Sequence, residues 1–175
     1  AGPPPRPEGQ SACGRIARLR VLGSHLPMSL IVKLLPESHI LLDVQAGSKK
    51  RVFEQVGILF ENSLGISQAS VFESLFARER LGSTGLGQGI AIPHGRIKGF
   101  KQVSGAFLRL QQPIPFDAPD GRPVNLMFVL LVPEQATEEH LQILSEVAER
   151  FSDPAFREAL LAAPDAASVI ALFDR

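Results

Sequence analysis

The chain has 175 residues, a formal net charge of zero, 45% hydrophobic and 21% charged residues; this supports one ordinary globular domain with a real core and argues against a general nucleic-acid binder. A single cysteine, Cys13, excludes a disulfide framework and a cysteine-ligated metal site. No apolar run approaches the ~20 residues of a bilayer span, so the protein is not expected to be membrane-embedded.

Residues 1–27 differ from the rest. They hold five prolines, four glycines and four arginines against one acid. They read as a disordered or non-native N-terminal extension, with Met28 as a natural start, or as a basic tail that touches an acidic partner. No clean apolar stretch leads to a small-residue cleavage site, so a secretory signal is not expected and the cytoplasm is the expected location. Residues 28–175, with 14 basic and 17 acidic residues, read as the globular domain.

Residues 39–44, HILLDV, predict a short buried strand. Ser48 caps a predicted helix to Leu64, with Val52, Val56, Leu59, Phe60 and Ser63 at helical spacing and Gly65 as its stop. A second helix is predicted from Gln68 to Arg80, burying Val71, Phe72, Leu75 and Phe76 and ended by Gly82. Strands are predicted over 89–93 and 103–110. The nearly continuous apolar run 124–133, entered by the turn 119–123, suits a central strand buried on both faces. Thr137 then caps a helix to Phe151 with Leu141, Leu144, Ala148 and Phe151 on one face; Asp153 caps another with Pro154 at its first position, and Asp165 opens a third. His39 and His25 are assigned to strand packing and the tail. The fold class is α/β: a mixed β-sheet flanked by helices in a single domain.

The chemistry concentrates in residues 82–95, GSTGLGQGIAIPHG. The glycine loop is neither a Walker A loop nor a dinucleotide fingerprint, and it reads either as a flexible connection or as a nest in which Ser83, Thr84 and nearby N–H groups hold an oxyanion. His94 follows Pro93, which fixes the backbone, and precedes Gly95, which adds no side chain. It reads either as a turn histidine bonded to backbone or as a metal ligand, general base or covalent nucleophile. Neither H-E-x-x-H nor H-x-H is present, which disfavours metal, and G-x-S-x-G is absent, which disfavours a serine hydrolase. His140, near the start of the Thr137 helix, is either a half-buried surface histidine or a neutral imidazole that holds a phosphoryl group. Arg78 is either a cation favoured by the helix C-terminus or a guanidinium that neutralises phosphoryl oxygens.

The segment ARERLGSTGLGQGIAIPHGR (77–96) resembles the signature of phosphotransferase-system IIA proteins of the mannitol/fructose type, and the match is nearest to their nitrogen-regulatory branch. The stretch EQATEEHL (134–141) and the helical C-terminus also fit, so the resemblance covers residues 28–175. It implies the mixed-sheet type-2 IIA fold and a phosphohistidine at His94, with Arg78 and His140 in support and Ser83, Thr84 and Gly85 in the phosphoryl-binding loop. It implies no cofactor and no metal. The expected donor is a histidine phosphocarrier protein, and the expected targets are regulated proteins such as sensor kinases or ion-transport systems. Leu81, Leu86 and Phe100 are candidates for a small apolar docking rim. The globular part lacks the cysteine of a fused IIB domain, which favours a regulatory endpoint. A sugar-specific IIA passing phosphate to a separate IIB, and a non-covalent regulatory module, stay open.

Overall fold

The run predicted to be buried on both faces organises the molecule. Strand β6 (Val124–Pro133) turns Met127, Val129 and Leu131 into one hydrophobic cluster and Leu126, Phe128, Leu130 and Val132 into another, as alternation requires of a strand with no solvent face. In the computed structural model, which describes Gly2, residues 26–135 and residues 138–175, β6 is part of a six-stranded mixed sheet. Strand β5 (Ser104–Ile114) pairs with it antiparallel, and β1 (Ile40–Val44) lies parallel to β5 at one edge. On the other side β6 pairs parallel with two short strands in succession, β3 (Ile90–Ala91) and β4 (His94–Ile97). Strand β2 (Gly85–Gly87) ends the sheet antiparallel to β3. The fold class expected from the sequence is the one observed. The strand expected over 89–93 is, however, interrupted: Pro93 has no N–H to give, and pairing with β6 resumes at His94.

Helices α2 (Lys49–Leu64) and α3 (Gln68–Glu79) cover one face of the sheet. Ser48 accepts a hydrogen bond from Arg51 N at 3.2 Å, and Gly65, at φ 70°, closes α2 in the left-handed region. Val71 and Leu75 of α3 are buried as expected, whereas Phe72 and Phe76 are only partly buried against the core. His39 is buried just before β1, where Nδ1–H donates to Gly105 O at 2.8 Å and Nε2 accepts from Ser63 Oγ–H.

The opposite face carries α1 (Leu26–Lys33), α4 (Glu138–Phe151), α5 (Pro154–Ala162) and α6 (Ala166–Phe173). Helix α1 runs across the expected boundary at residues 27 and 28; the remainder of the expected extension, with Cys13 and His25, and the expected Thr137 cap lie outside the described residues. Asp153 and Asp165 cap α5 and α6 as predicted, accepting from Ala155 N at 3.0 Å and Ser168 N at 2.8 Å. Helix α4 buries Val147 and Phe151, but Leu141 is 43% exposed rather than packed. Six positions separate it from Val147, about 120° around the helix, which takes it off the buried stripe.

Each of these last three helices ends on an arginine from another element. Arg157 of α5 donates to Phe151 O at 2.8 Å and Ser152 O at 3.1 Å at the end of α4. Arg109 of β5, buried at 8% exposure and paired with Asp43 at 3.3 Å, donates to Leu160 O at 3.0 Å and Ala163 O at 2.7 Å at the end of α5. Arg150 of α4 donates to Leu172 O at 3.3 Å and to Arg175 O at the end of α6. The guanidinium groups donate to carbonyls at the helix ends and oppose the negative ends of their dipoles.

Candidate active site

The site begins where α3 stops. Arg78, in the last turn, sends Nη1–H back to Gly82 O at 2.9 Å and holds the descending loop. The next side chain, Glu79, points inward and is 4% exposed. Its carboxylate accepts from Thr84 Oγ1–H at 2.6 Å, from Thr84 N–H at 3.2 and 3.3 Å, and from Lys49 Nζ at 2.8 Å. A buried carboxylate is tolerable when it is paired and hydrogen-bonded, and here the acceptance of several donors fixes the path of residues 80–84. Lys49 also lies over the Phe116 ring, 4.4 Å from its centroid. Ser83 Oγ–H donates to Phe116 O at 2.6 Å and its oxygen accepts from Gly85 N at 3.1 Å. The hydroxyl protons of Ser83 and Thr84 are therefore both held by protein acceptors.

After β2 the chain reverses through Gly87, Gln88 and Gly89, at φ 88°, 59° and 82°. Asp120 accepts from Gln88 N at 2.8 Å and secures this left-handed turn. The chain then returns through β3 to Ile92 and Pro93, and Ile92 N donates to Thr84 O at 3.0 Å.

His94 opens β4, half-buried beside Arg78. Its Nδ1 lies 3.0 Å from Ile92 O, and Arg78 Nε–H donates to its Nε2 at 3.2 Å. A carbonyl only accepts and a guanidinium N–H only donates, so the proton belongs on Nδ1 and Nε2 presents a lone pair. Burial lowers the imidazole pKa below its ordinary 6.5, assisted by the charges of Arg78 and Arg96 and opposed by the Ile92 bond and the Glu79 charge. The ring is therefore neutral at physiological pH. Gly95 lets this strand lie against α3, because a Cβ there would stand 2.5 Å from Ser74 Oγ and 3.0 Å from its carbonyl carbon.

A cleft of about 260 Å³ is lined by Arg78, Ser83, Thr84, Gly85, Leu86, Ile92 and His94, with Leu144, Ser145 and Ala148 of α4 opposite. Of the residues singled out in the sequence, the structure thus gathers His94, Arg78, Ser83, Thr84 and Gly85 around one space. His140 is half-buried in the first turn of α4, one turn before Leu144, and is not among the lining residues. Leu81 and Leu86 are 83% and 47% exposed beside the loop, whereas Phe100 is partly buried against the core. Sequence reasoning missed Glu79 and Lys49. Among the described residues, no group of three or more His, Cys, Asp or Glu could hold a metal, and no helix is long and apolar enough to cross a membrane.

Comparison with known proteins places the fold in a family. Residues 33–175 match the family model described as phosphoenolpyruvate-dependent sugar phosphotransferase system, EIIA 2. A nitrogen regulatory protein of Pseudomonas aeruginosa is 48% identical over 140 residues, which are 79% of this chain and 91% of that protein. The crystal structure of nitrogen regulatory protein IIA-Ntr from Neisseria meningitidis superposes with a TM-score of 0.79 at 58% identity, covering 82% of this chain and 99% of that one. The IIA mannitol structure from Escherichia coli, at 19% identity, shares the fold with a TM-score of 0.66 over 79% of this chain and 97% of that one. The chain therefore belongs to the EIIA type-2 family of the phosphoenolpyruvate-dependent phosphotransferase system.

Proposed function

We propose that the protein is a regulatory IIA component that accepts a phosphoryl group on His94 Nε2 from a histidine phosphocarrier protein. The observation that carries this reading is the imidazole itself: neutral, bonded through Nδ1 to Ile92 O, and presenting the Nε2 lone pair beside Arg78 in an open cleft. In the step, the Nε2–phosphorus bond forms as the donor's nitrogen–phosphorus bond breaks, and the bonding pair returns to the donor imidazole. His94 keeps its Nδ1 proton, so its ring becomes cationic against a phosphoryl dianion. Arg78 Nε–H, which donates to the free Nε2, transfers its bond to a phosphoryl oxygen. Ser83, Thr84 and Gly85 shape the wall facing this group, and His140 supports it from the α4 side. The rate comes from positioning and charge neutralisation, with no metal or organic cofactor required.

The regulatory assignment rests on similarity to the nitrogen regulatory proteins at 48% and 58% identity. An added charge of about −1.5 to −2 would change the binding of target proteins, with sensor kinases and ion-transport systems as the candidate classes. A IIA of the mannitol system with the same fold is known in complex with phosphorylated IIB, which supports reading this chain as a member of a phosphoryl relay.

The test is incubation with phosphoenolpyruvate, enzyme I and a phosphocarrier. One equivalent of acid-labile phosphate on the protein is expected, with an Nε2 linkage by NMR. No label from a donor that phosphorylates a control IIA would overturn the reading in favour of a non-covalent module. The pH profile supplies an independent check. Because the His94 pKa lies below 6.5, transfer should be level from about pH 8 to about pH 7 and fall only in more acidic solution, as Nε2 takes a proton. The unfolded chain takes up that proton first as pH drops, so folded-state stability also declines between 6.5 and the lowered value. A transfer rate that halves near pH 7 would contradict the neutral-ring geometry.

A further inference from the structure

The carboxylate that sequence reasoning overlooked stands at the start of a chain of contacts ending on His94. Glu79 holds Thr84 by its N–H, at 3.2 and 3.3 Å, and by its hydroxyl at 2.6 Å. Thr84 O accepts from Ile92 N at 3.0 Å, and Ile92 O then faces His94 Nδ1 at 3.0 Å. From the other side Arg78, the neighbour of Glu79 on α3, reaches His94 Nε2 at 3.2 Å. Two adjacent residues at the end of one helix thus set both nitrogens of the ring: Arg78 directly, and Glu79 through two residues of the loop and strand.

We infer that Glu79 is a positioning residue that fixes the tautomer and orientation of His94 through Thr84 and Ile92, a role that deepens the phosphoryl-acceptor reading and rests on it. A carboxylate suits this task where a neutral side chain does not. It accepts two donors from Thr84 while pairing with Lys49 at 2.8 Å; a carboxamide would offer one acceptor oxygen and turn an NH2 towards a donor. Its buried negative charge also acts on the ring without touching it, favouring the cationic form that phosphoryl transfer creates. Lys49, at the first position of α2, balances that charge and ties the arrangement to the neighbouring helix. Glu79 makes no contact with the cleft, so its effect should fall on the transfer step and leave donor docking alone.

The experiment uses 15N-imidazole-labelled protein in three variants: Glu79→Gln, Thr84→Val and Thr84→Ser. In the wild type, the nitrogen shifts at neutral pH should report a proton on Nδ1. Glu79→Gln and Thr84→Val should lose that bias and give shifts averaged between the two nitrogens; in Glu79→Gln, kcat for phosphoryl acceptance should be lower by about tenfold with KM for the phosphocarrier within about twofold. Thr84→Ser keeps both donors and loses only the methyl group, so it should retain the wild-type tautomer. Should Glu79→Gln fail to fold, the Thr84 pair carries the same decision. An unchanged tautomer in Thr84→Val, or an equal loss in Thr84→Ser, would overturn the proposal, the latter because packing alone would then explain it. The tautomer measurement needs no phosphoryl donor. A wild-type protein that shows the Nδ1–H form yet accepts no phosphoryl group sinks the function reading and not the positioning geometry.

Discussion

Replacing His94 with alanine should abolish phosphoryl acceptance while leaving the fold in place. The ring is half-buried and its two partners survive its loss. Ile92 keeps its N–H bond to Thr84 O, Pro93 keeps its carbonyl bond to Leu130 N at 3.0 Å, and Arg78 keeps Gly82 O. With those contacts intact, the stability change should lie within about 1 kcal/mol. The chemical effect is total, because no other described histidine lines the cleft and the nucleophilic lone pair is gone. The measurement pairs an acid-labile label count with a urea midpoint. Stoichiometric labelling of a folded His94→Ala protein would remove His94 from its role. Loss of labelling together with unfolding would show that the histidine is needed for structure, against the contacts described.

The second large effect is expected at Gly95, whose side of β4 faces α3. A methyl group there meets Ser74 Oγ at 2.5 Å and the Ser74 backbone carbon at 3.0 Å. The hydroxyl is itself bonded to Val71 O at 2.9 Å, and the backbone atom cannot rotate aside. Helix and strand must therefore separate, and Ser74 lies one turn before Arg78. Gly95→Ala should cost about 2 kcal/mol by overpacking and slow phosphoryl acceptance about a hundredfold, since a displacement near 1 Å between reacting groups is enough for that loss. A rate close to wild type in Gly95→Ala would mean that the Arg78–His94 contact tolerates movement of α3.

Much of the frame was legible because local rules and burial agreed. Ser48, Gly65, Asp153, Pro154 and Asp165 mark helix ends by chemistry that acts within a few residues, and the 124–133 run has no polar face that could be solvent-exposed. What stayed hidden depended on distant partners. Glu79 sits in ARER, a stretch that reads as the polar end of a helix, and only Thr84 and Lys49 make its burial acceptable. Arg109 lies in a strand whose alternation looked ordinary, yet its guanidinium ends a helix fifty residues further on. The clustering of His94, Arg78 and the loop was foreshadowed by the glycine-rich spacing and the family resemblance. Which nitrogen carries the proton was not, because it is decided by Ile92 O and Arg78 in space. Leu141 shows the reverse: its apolar character suggested packing, but its angle on α4 places it in solvent.

The arginine-tied helix ends have a mechanical consequence. Arg157 links α5 to the end of α4, Arg150 links α4 to the end of α6, and Arg109 links β5 to the end of α5. No one of these helices can peel away without stripping a guanidinium from its acceptors, so the three should exchange their amide hydrogens as one cooperative block rather than fray in turn. The last residues of the chain belong to that block through Arg150. Because α4 also supplies Leu144, Ser145 and Ala148 to the cleft, a protein that grips the end of α6 would pull, through Arg150, on the wall facing His94.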